Sequence, residues 1–160
     1  MRNRSRGMTL IELMIVVVIV GVLSVLAVTG YRRFTLQARN AEAQNFLGVI
    51  RAAQQAYYEG FGQFCGADGW ENHPAQVPLE QKVNWGQPAG AWRDLGVKSP
   101  GQVWFRYRMR AGADNPPEDH FPAGPWFVAQ ANGDWDRDGR LSTYEVSSAT
   151  NTVFIDNENE

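Results

Sequence analysis

From Leu10 to Val28, nineteen consecutive residues are aliphatic, methionine or alanine, interrupted only by Glu12, Gly21 and Ser24. A helix of about 20 such residues spans the hydrocarbon core of a bilayer. The many Val and Ile residues favour a strand in water, but in lipid an unpaired backbone is too costly, so the run is expected to be helical. Arg2, Arg4 and Arg6 precede it, and positive charge before a first apolar segment holds that end in the cytoplasm and sends the rest outside. An ordinary secretory signal shares this layout, and Val25-Leu26-Ala27 would serve as its cleavage site. Its apolar region is shorter, however, about 7 to 15 residues, and free of acidic side chains.

Glu12 therefore calls for an explanation. A carboxylate at mid-bilayer costs about 2.5 to 3.5 kcal/mol on insertion scales, and less toward the edge. It needs a partner. A cut after Gly7 would give Met8 a new amine four positions before Glu12, on the same helical face, and that amine or the matching one of a neighbouring copy would neutralise the carboxylate. The plain alternative is a glutamate at the membrane edge that is protonated or snorkels to the headgroups.

Gly7-Met8-Thr9-Leu10-Ile11-Glu12-Leu13, with its basic leader and the apolar run behind it, resembles the N-terminal signature of type IV pilins and the related pseudopilins. The resemblance covers about the first thirty residues. It implies that a prepilin peptidase cuts after Gly7 and methylates Met8, that the subunits polymerise through their N-terminal helices, and that Glu12 pairs with a neighbour's N-terminal amine. The implied partners are other pilin subunits, the peptidase, the inner membrane before assembly and the assembly machinery. Met8 stands where the family usually has phenylalanine, a replacement the peptidase accepts. Thr29 stands where many pilins have a kinking proline, so a bend is expected from Gly21 or from Thr29-Gly30 instead.

The 160 residues leave one modest domain beyond the apolar run. Without the three leader arginines the chain carries 12 basic and 17 acidic side chains, a formal −5, which argues against a nucleic-acid partner. The single cysteine, Cys65, rules out an intramolecular disulfide and is expected to be a small packed residue. Residues 31–58 contain no proline, and Leu36, Ala43, Phe46, Leu47, Ile50, Ala53 and Tyr57 recur at helical steps, so the helix continues with an amphipathic second half. Residues 59–101, rich in Gly, Pro and Trp, read as a long irregular connection. In it Trp70, Trp85 and Trp92 either form a sugar-binding surface or, as favoured here, pin the connection to the sheet. Val103, Phe105, Tyr107 and Met109 alternate with Trp104, Arg106, Arg108 and Arg110, a two-faced strand. Residues 126–131, 141–147 and 152–156 are further strand candidates. The arginines form a basic row that fits an exposed face paired with acidic neighbours or an adjoining subunit better than one meeting DNA phosphates.

Asp134-Trp135-Asp136-Arg137-Asp138-Gly139-Arg140-Leu141-Ser142-Thr143-Tyr144-Glu145 fits the twelve-residue calcium loop. Asp134, Asp136 and Asp138 supply carboxylates, Gly139 the sharp turn, Arg140 its carbonyl, Ser142 a water-mediated contact, and Glu145 both oxygens to close the site. Carboxylates at every second position repel one another, and a hard cation removes that penalty. The alternative is a solvated acidic turn. Flanked by strands rather than helices, the loop is expected to be isolated, with an affinity of about 0.1 to 1 mM typical of extracellular modules. His73 and His120 sit in no metal or triad spacing and read as loop residues. No phosphate loop or nucleophile motif is present, so no enzyme and no organic cofactor are expected.

The fold expected is α+β: a long N-terminal helix, membrane-spanning in its first half and amphipathic in its second, packed on a small antiparallel β-sheet. Residues 1–7 are the leader, 8–28 the transmembrane and assembly helix, and 29–160 a periplasmic or extracellular head. Within the head the helix runs to about 58, the loop spans 59–101 and the sheet 102–160. The function expected is a pilin-like filament subunit. The alternatives are a type II secretion pseudopilin in a periplasmic pseudopilus, and an uncut membrane-anchored protein that binds calcium or sugar.

Overall fold

A computed structural model describes residues 8–114, 116, 121, 123–135, 137–150 and 152–157. The chain forms two compact units, Met1–Ala38 and Arg39–Glu160, joined within one continuous helix, α1 (Leu10–Phe61). The helix is unbroken through Gly21, Thr29 and Gly30. Polar side chains of the first unit are satisfied by the helix itself. Ser24 Oγ donates to the Val20 carbonyl at 2.7 Å, and Thr29 Oγ1 to that of Leu26 at 3.0 Å, the usual accommodation of a hydroxyl in apolar surroundings.

The second unit is an antiparallel sheet packed on the end of α1. Its strands are β1 (Glu71–His73), β4 (Arg106–Gly112), β5 (Trp126–Gly133), β6 (Ser142–Ser147) and β7 (Phe154–Asp156), in spatial order β1-β4-β5-β6-β7. A separate ribbon pairs β2 (Val83–Asn84) with β3 (Gln102–Val103). Period-two alternation does what it must: Tyr107, Met109, Ala129, Ala131 and Tyr144 face the helix and are 0 % exposed. Ala43, Leu47 and Ile50 of α1 are also 0 % exposed, and the Phe46 ring lies tilted against Tyr107 at 4.5 Å and edge-on to Trp85 at 5.0 Å.

The alternating run from Val103 to Arg110 is not one strand. The Trp104 N–H, which a continuous strand would give to a sheet neighbour, goes to Glu42 Oε1 on α1 at 2.6 Å, and Glu42 is also paired with Lys82 at 3.2 Å. The backbone turns there, so β3 ends and β4 begins in a different sheet. Residues 59–101 likewise hold β1, β2 and a short helix, α2 (Ala91–Leu95), where an irregular connection was expected. His73 is a β1 residue rather than a loop residue, and burial pushes its pKa down; His120 lies outside the described residues.

Two of the three loop tryptophans act as pins. Trp85 and Trp92 are 5 % and 2 % exposed, Trp92 Nε1 donates to the Glu71 carbonyl at 3.1 Å, and neither ring is available to a sugar. Cys65 is packed as expected. Its backbone N–H donates to Gln54 Oε1 at 2.8 Å, and Gln54 Nε2 returns a bond to its carbonyl at 2.7 Å.

Candidate assembly segment, acidic turn and arginine face

The helix starts at a reciprocal cap. Glu12 Oε2 accepts from both the N–H and the hydroxyl of Thr9 at 2.8 Å, and the Glu12 N–H donates to Thr9 Oγ1 at 3.3 Å. A threonine at the cap and a glutamate three residues on satisfy two amide donors that a helix start leaves open. Glu12 thus has a neutral partner within its own chain, Thr9, and not only the opposite charge expected for it. The signal was present in the sequence, since Thr9-x-x-Glu12 before an apolar run is itself the capping pattern. Behind this cap every large apolar side chain from Met8 to Val28 is between 50 % and 77 % exposed. The stretch is long and apolar enough to cross a bilayer. Gly7 lies outside the described residues.

At the far end of β5 the acidic run forms a tight turn. Asp134 Oδ1 accepts from the Arg137 N–H at 2.8 Å and Asp138 Oδ1 from the Arg140 N–H at 2.7 Å. Arg137 and Gly139 take positive φ values of 64° and 86°, the conformation for which glycine is the natural residue. Trp135 anchors the turn from below, 8 % exposed and edge-on to Phe105 at 5.0 Å. Ser142 has already entered β6, where its Oγ donates to the Asn157 carbonyl at 2.9 Å.

Glu145, assigned to close the loop, sits three residues further along β6, in register with Gln130, whose Nε2 donates to its carboxylate. Gln130 Oε1 in turn accepts from Arg108 Nε at 2.7 Å. Asp134 and Asp138 thus sit on one turn, whereas the Glu145 carboxylate is bonded to a residue outside the loop. Among the described residues no three acidic, histidine or cysteine side chains are gathered for a metal, and Asp136 lies outside them.

The sheet face turned away from α1 carries Arg106, Arg108 and Arg110 on β4, each half-buried. Trp70 lies under two of them, its ring 4.2 Å from the Arg108 guanidinium and 4.6 Å from that of Arg110. Among the described residues none of the three forms an ion pair, and the Nε atoms of Arg106 and Arg110 are buried without a hydrogen-bond partner. Burial, with help from Arg106 and Arg110, holds the Arg108 pKa below its ordinary value.

The profile of the prokaryotic N-terminal methylation motif matches residues 2–28, the segment containing Met8, Thr9 and Glu12. The chain is 40 % identical over 55 residues to the type IV major pilin protein PilA of Myxococcus xanthus, covering 34 % of this chain and 25 % of that one. It is 36 % identical over 62 residues to the fimbrial protein EcpC of Eikenella corrodens, covering 39 % and 40 %. It is 38 % identical over 77 residues to the type IV major pilin protein PilE1 of Neisseria gonorrhoeae, covering 48 % and 34 %. Over its N-terminal part the chain is therefore similar to type IV pilins and fimbrial proteins. The likeness is partial, spanning between 25 % and 40 % of the length of these pilins. No solved structure matches the chain. A long apolar N-terminal helix whose continuation packs on a small antiparallel sheet is consistent with the α+β fold of type IV pilins.

Proposed function

We propose that this chain is a type IV pilin-like structural subunit of a surface filament and not an enzyme. It is made as a membrane-anchored precursor with its basic start in the cytoplasm, cut after Gly7, methylated on Met8 and polymerised through the first half of α1. Glu12 meets the N-terminal amine of a neighbouring copy. The observation that carries this reading is a helical surface from Leu10 to Val28 that the chain does not bury, headed by a single carboxylate inside the methylation motif. Such a surface has two stable surroundings, lipid before assembly and other helices after it. Thr9 holds the Glu12 carboxylate at the helix start, so the acid lies at the depth where a new N-terminus would lie.

The test is the intact mass, with fragmentation, of the protein sheared from cells. A chain beginning at N-methylated Met8 is expected, and Glu12→Ala should be cut normally yet disappear from the sheared fraction. A chain beginning at Met1 or just after Ala27 overturns the pilin subunit and leaves an anchored protein. A correctly cut chain confined to the periplasm favours a pseudopilin.

Calcium at the acidic turn belongs to the same proposal. When bound, calcium supplies a hard centre that takes six to eight oxygens and offsets carboxylate repulsion. Asp134, Asp136, Asp138 and the Arg140 carbonyl would hold it, with Ser142 acting through water. The positive φ of Gly139 and two carboxylates already on one turn support the assignment. Glu145 is committed to Gln130 and is left out of the ligand set.

A further inference from the structure

We infer that the face of the sheet carrying Arg106, Arg108, Arg110 and Phe154 is a docking surface for the acidic exterior of a second copy of this chain. The inference rests on the filament-subunit reading and adds a contact between heads to the one through the helices.

Like charges are crowded here, and among the described residues no direct ion pair offsets them. Residues two apart on a strand project to the same face about 6.8 Å apart, so the three guanidiniums form a row, and none of them is ion-paired among the described residues. Of the carboxylates on this face, Glu145 faces the row through Gln130, and Asp156 stands on β7 beyond it. The unit around the row is acidic, with 10 basic and 16 acidic side chains from Arg39 to Glu160. An anionic surface facing another copy is therefore in ample supply, and the row supplies its complement.

The row is also rigid. Stacking of Arg108 and Arg110 against Trp70, and of Arg110 over Trp126 at 5.7 Å, fixes side chains that would otherwise lose rotamer freedom on binding. Pre-organised contacts of this kind keep the cost of association down. Phe154 provides the apolar neighbour. It lies on the edge strand β7, in register with Glu145 and so on the same face, and is 65 % exposed. Arginine and aromatic side chains together are the composition of an interface centre. Glu145 reaches the row only through Gln130, so among the described residues three cations share at most one nearby carboxylate, and a docking anionic surface would add the charge that the row lacks.

That asymmetry gives the test two readouts. Arg106→Gln removes a guanidinium whose Nε has no partner, whereas Arg106→Lys keeps the charge. In detergent, the melting temperature of the unpolymerised Arg106→Gln chain should equal or exceed that of the wild type. The NaCl concentration that halves the sedimenting fraction of sheared filaments should fall by about two-fold or more, because an exposed ionic contact is screened within about 8 Å at physiological salt. Arg106→Lys should restore it. An unchanged salt midpoint in Arg106→Gln overturns the inference, as does a lowered melting temperature with filaments otherwise normal. Loss of dextran sulfate binding in Arg106→Gln with unchanged assembly also overturns it, and points to a soluble polyanion as the occupant. If the wild type yields no filaments, the full chain in detergent decides. Salt-sensitive self-association that Arg106→Gln abolishes upholds the head contact while the filament reading fails, and a monomer at low salt sinks both.

Discussion

Gln54 shows how one buried amide can organise a chain turn. It is 0 % exposed on the sheet-facing side of α1, and both ends of its amide are spent on the backbone of Cys65. A glutamine on an apolar helix face reads in sequence as a misplaced polar residue; its partners, eleven positions away, explain it. Leaving a buried donor or acceptor unpaired costs about 1 to 3 kcal/mol each, so Gln54→Leu is expected to lower stability by about 2 to 4 kcal/mol, read from denaturant unfolding of the detergent-solubilised chain. Cys65 reports the same event. Burial, reinforced by the charges of Asp94 and Glu71, pushes its thiol from the ordinary 9.0 up to about 11. The folded state therefore prefers the neutral thiol, and its contribution to stability is complete below pH 9 and lost as pH rises through about 11. Alkylation of the wild-type chain should lag behind that of a free thiol until that range, and in Gln54→Leu it should begin near the ordinary value. Unchanged stability and alkylation in Gln54→Leu would remove the clamp from the account.

Among the elements, α1 and the two long strands were readable because their signals are local. An apolar run, helical recurrence and period-two alternation lie within a few residues of one another. The boundaries that failed depend on remote groups. β4 starts at Arg106 because Glu42, 62 positions earlier, takes the Trp104 N–H. β1, β2 and α2 escaped notice because elements of two to five residues carry too little periodicity to stand out from Gly and Pro. At the end of β4, Gly112 shows a constraint that only packing creates. A Cβ there would lie 2.8 Å from the Trp126 ring, and Trp126 is held at 1 % exposure with Nε1 donating to the Asp114 carbonyl at 3.2 Å. Overpacking of this kind costs about 1 to 3 kcal/mol. Gly112→Ala should lower the melting temperature, whereas Gly60→Ala, with nothing within 4 Å of the new methyl, should not. Equal melting temperatures for the two would contradict the packing of β4 against Trp126.

For the molecule as a whole, the acidic turn offers the sharpest remaining test, because Glu145, the closing ligand expected from the sequence, is hydrogen-bonded to Gln130. Trp135 lies inside the loop and edge-on to Phe105, so ordering of the turn should change its emission between about 0.1 and 1 mM calcium. Asp134→Ala should abolish that change. Glu145→Gln should leave the midpoint unaltered, since its carboxylate belongs to the Gln130 and Arg108 chain. A wild type silent at several millimolar calcium removes the metal, and a Glu145→Gln midpoint shifted ten-fold or more restores the twelve-residue assignment. The sequence by itself determined the membrane-length helix, the lone carboxylate at its start, the methylation motif and the inward faces of the sheet, because each lies in the order of neighbouring residues. Only the tertiary structure decided where Glu145 and Gln54 spend their polar groups, where β3 parts from β4, and that the arginines of β4 share a face with Trp70 and Phe154. Those outcomes rest on hydrogen bonds, stacking and strand register between residues distant in the chain, which no short stretch of sequence records.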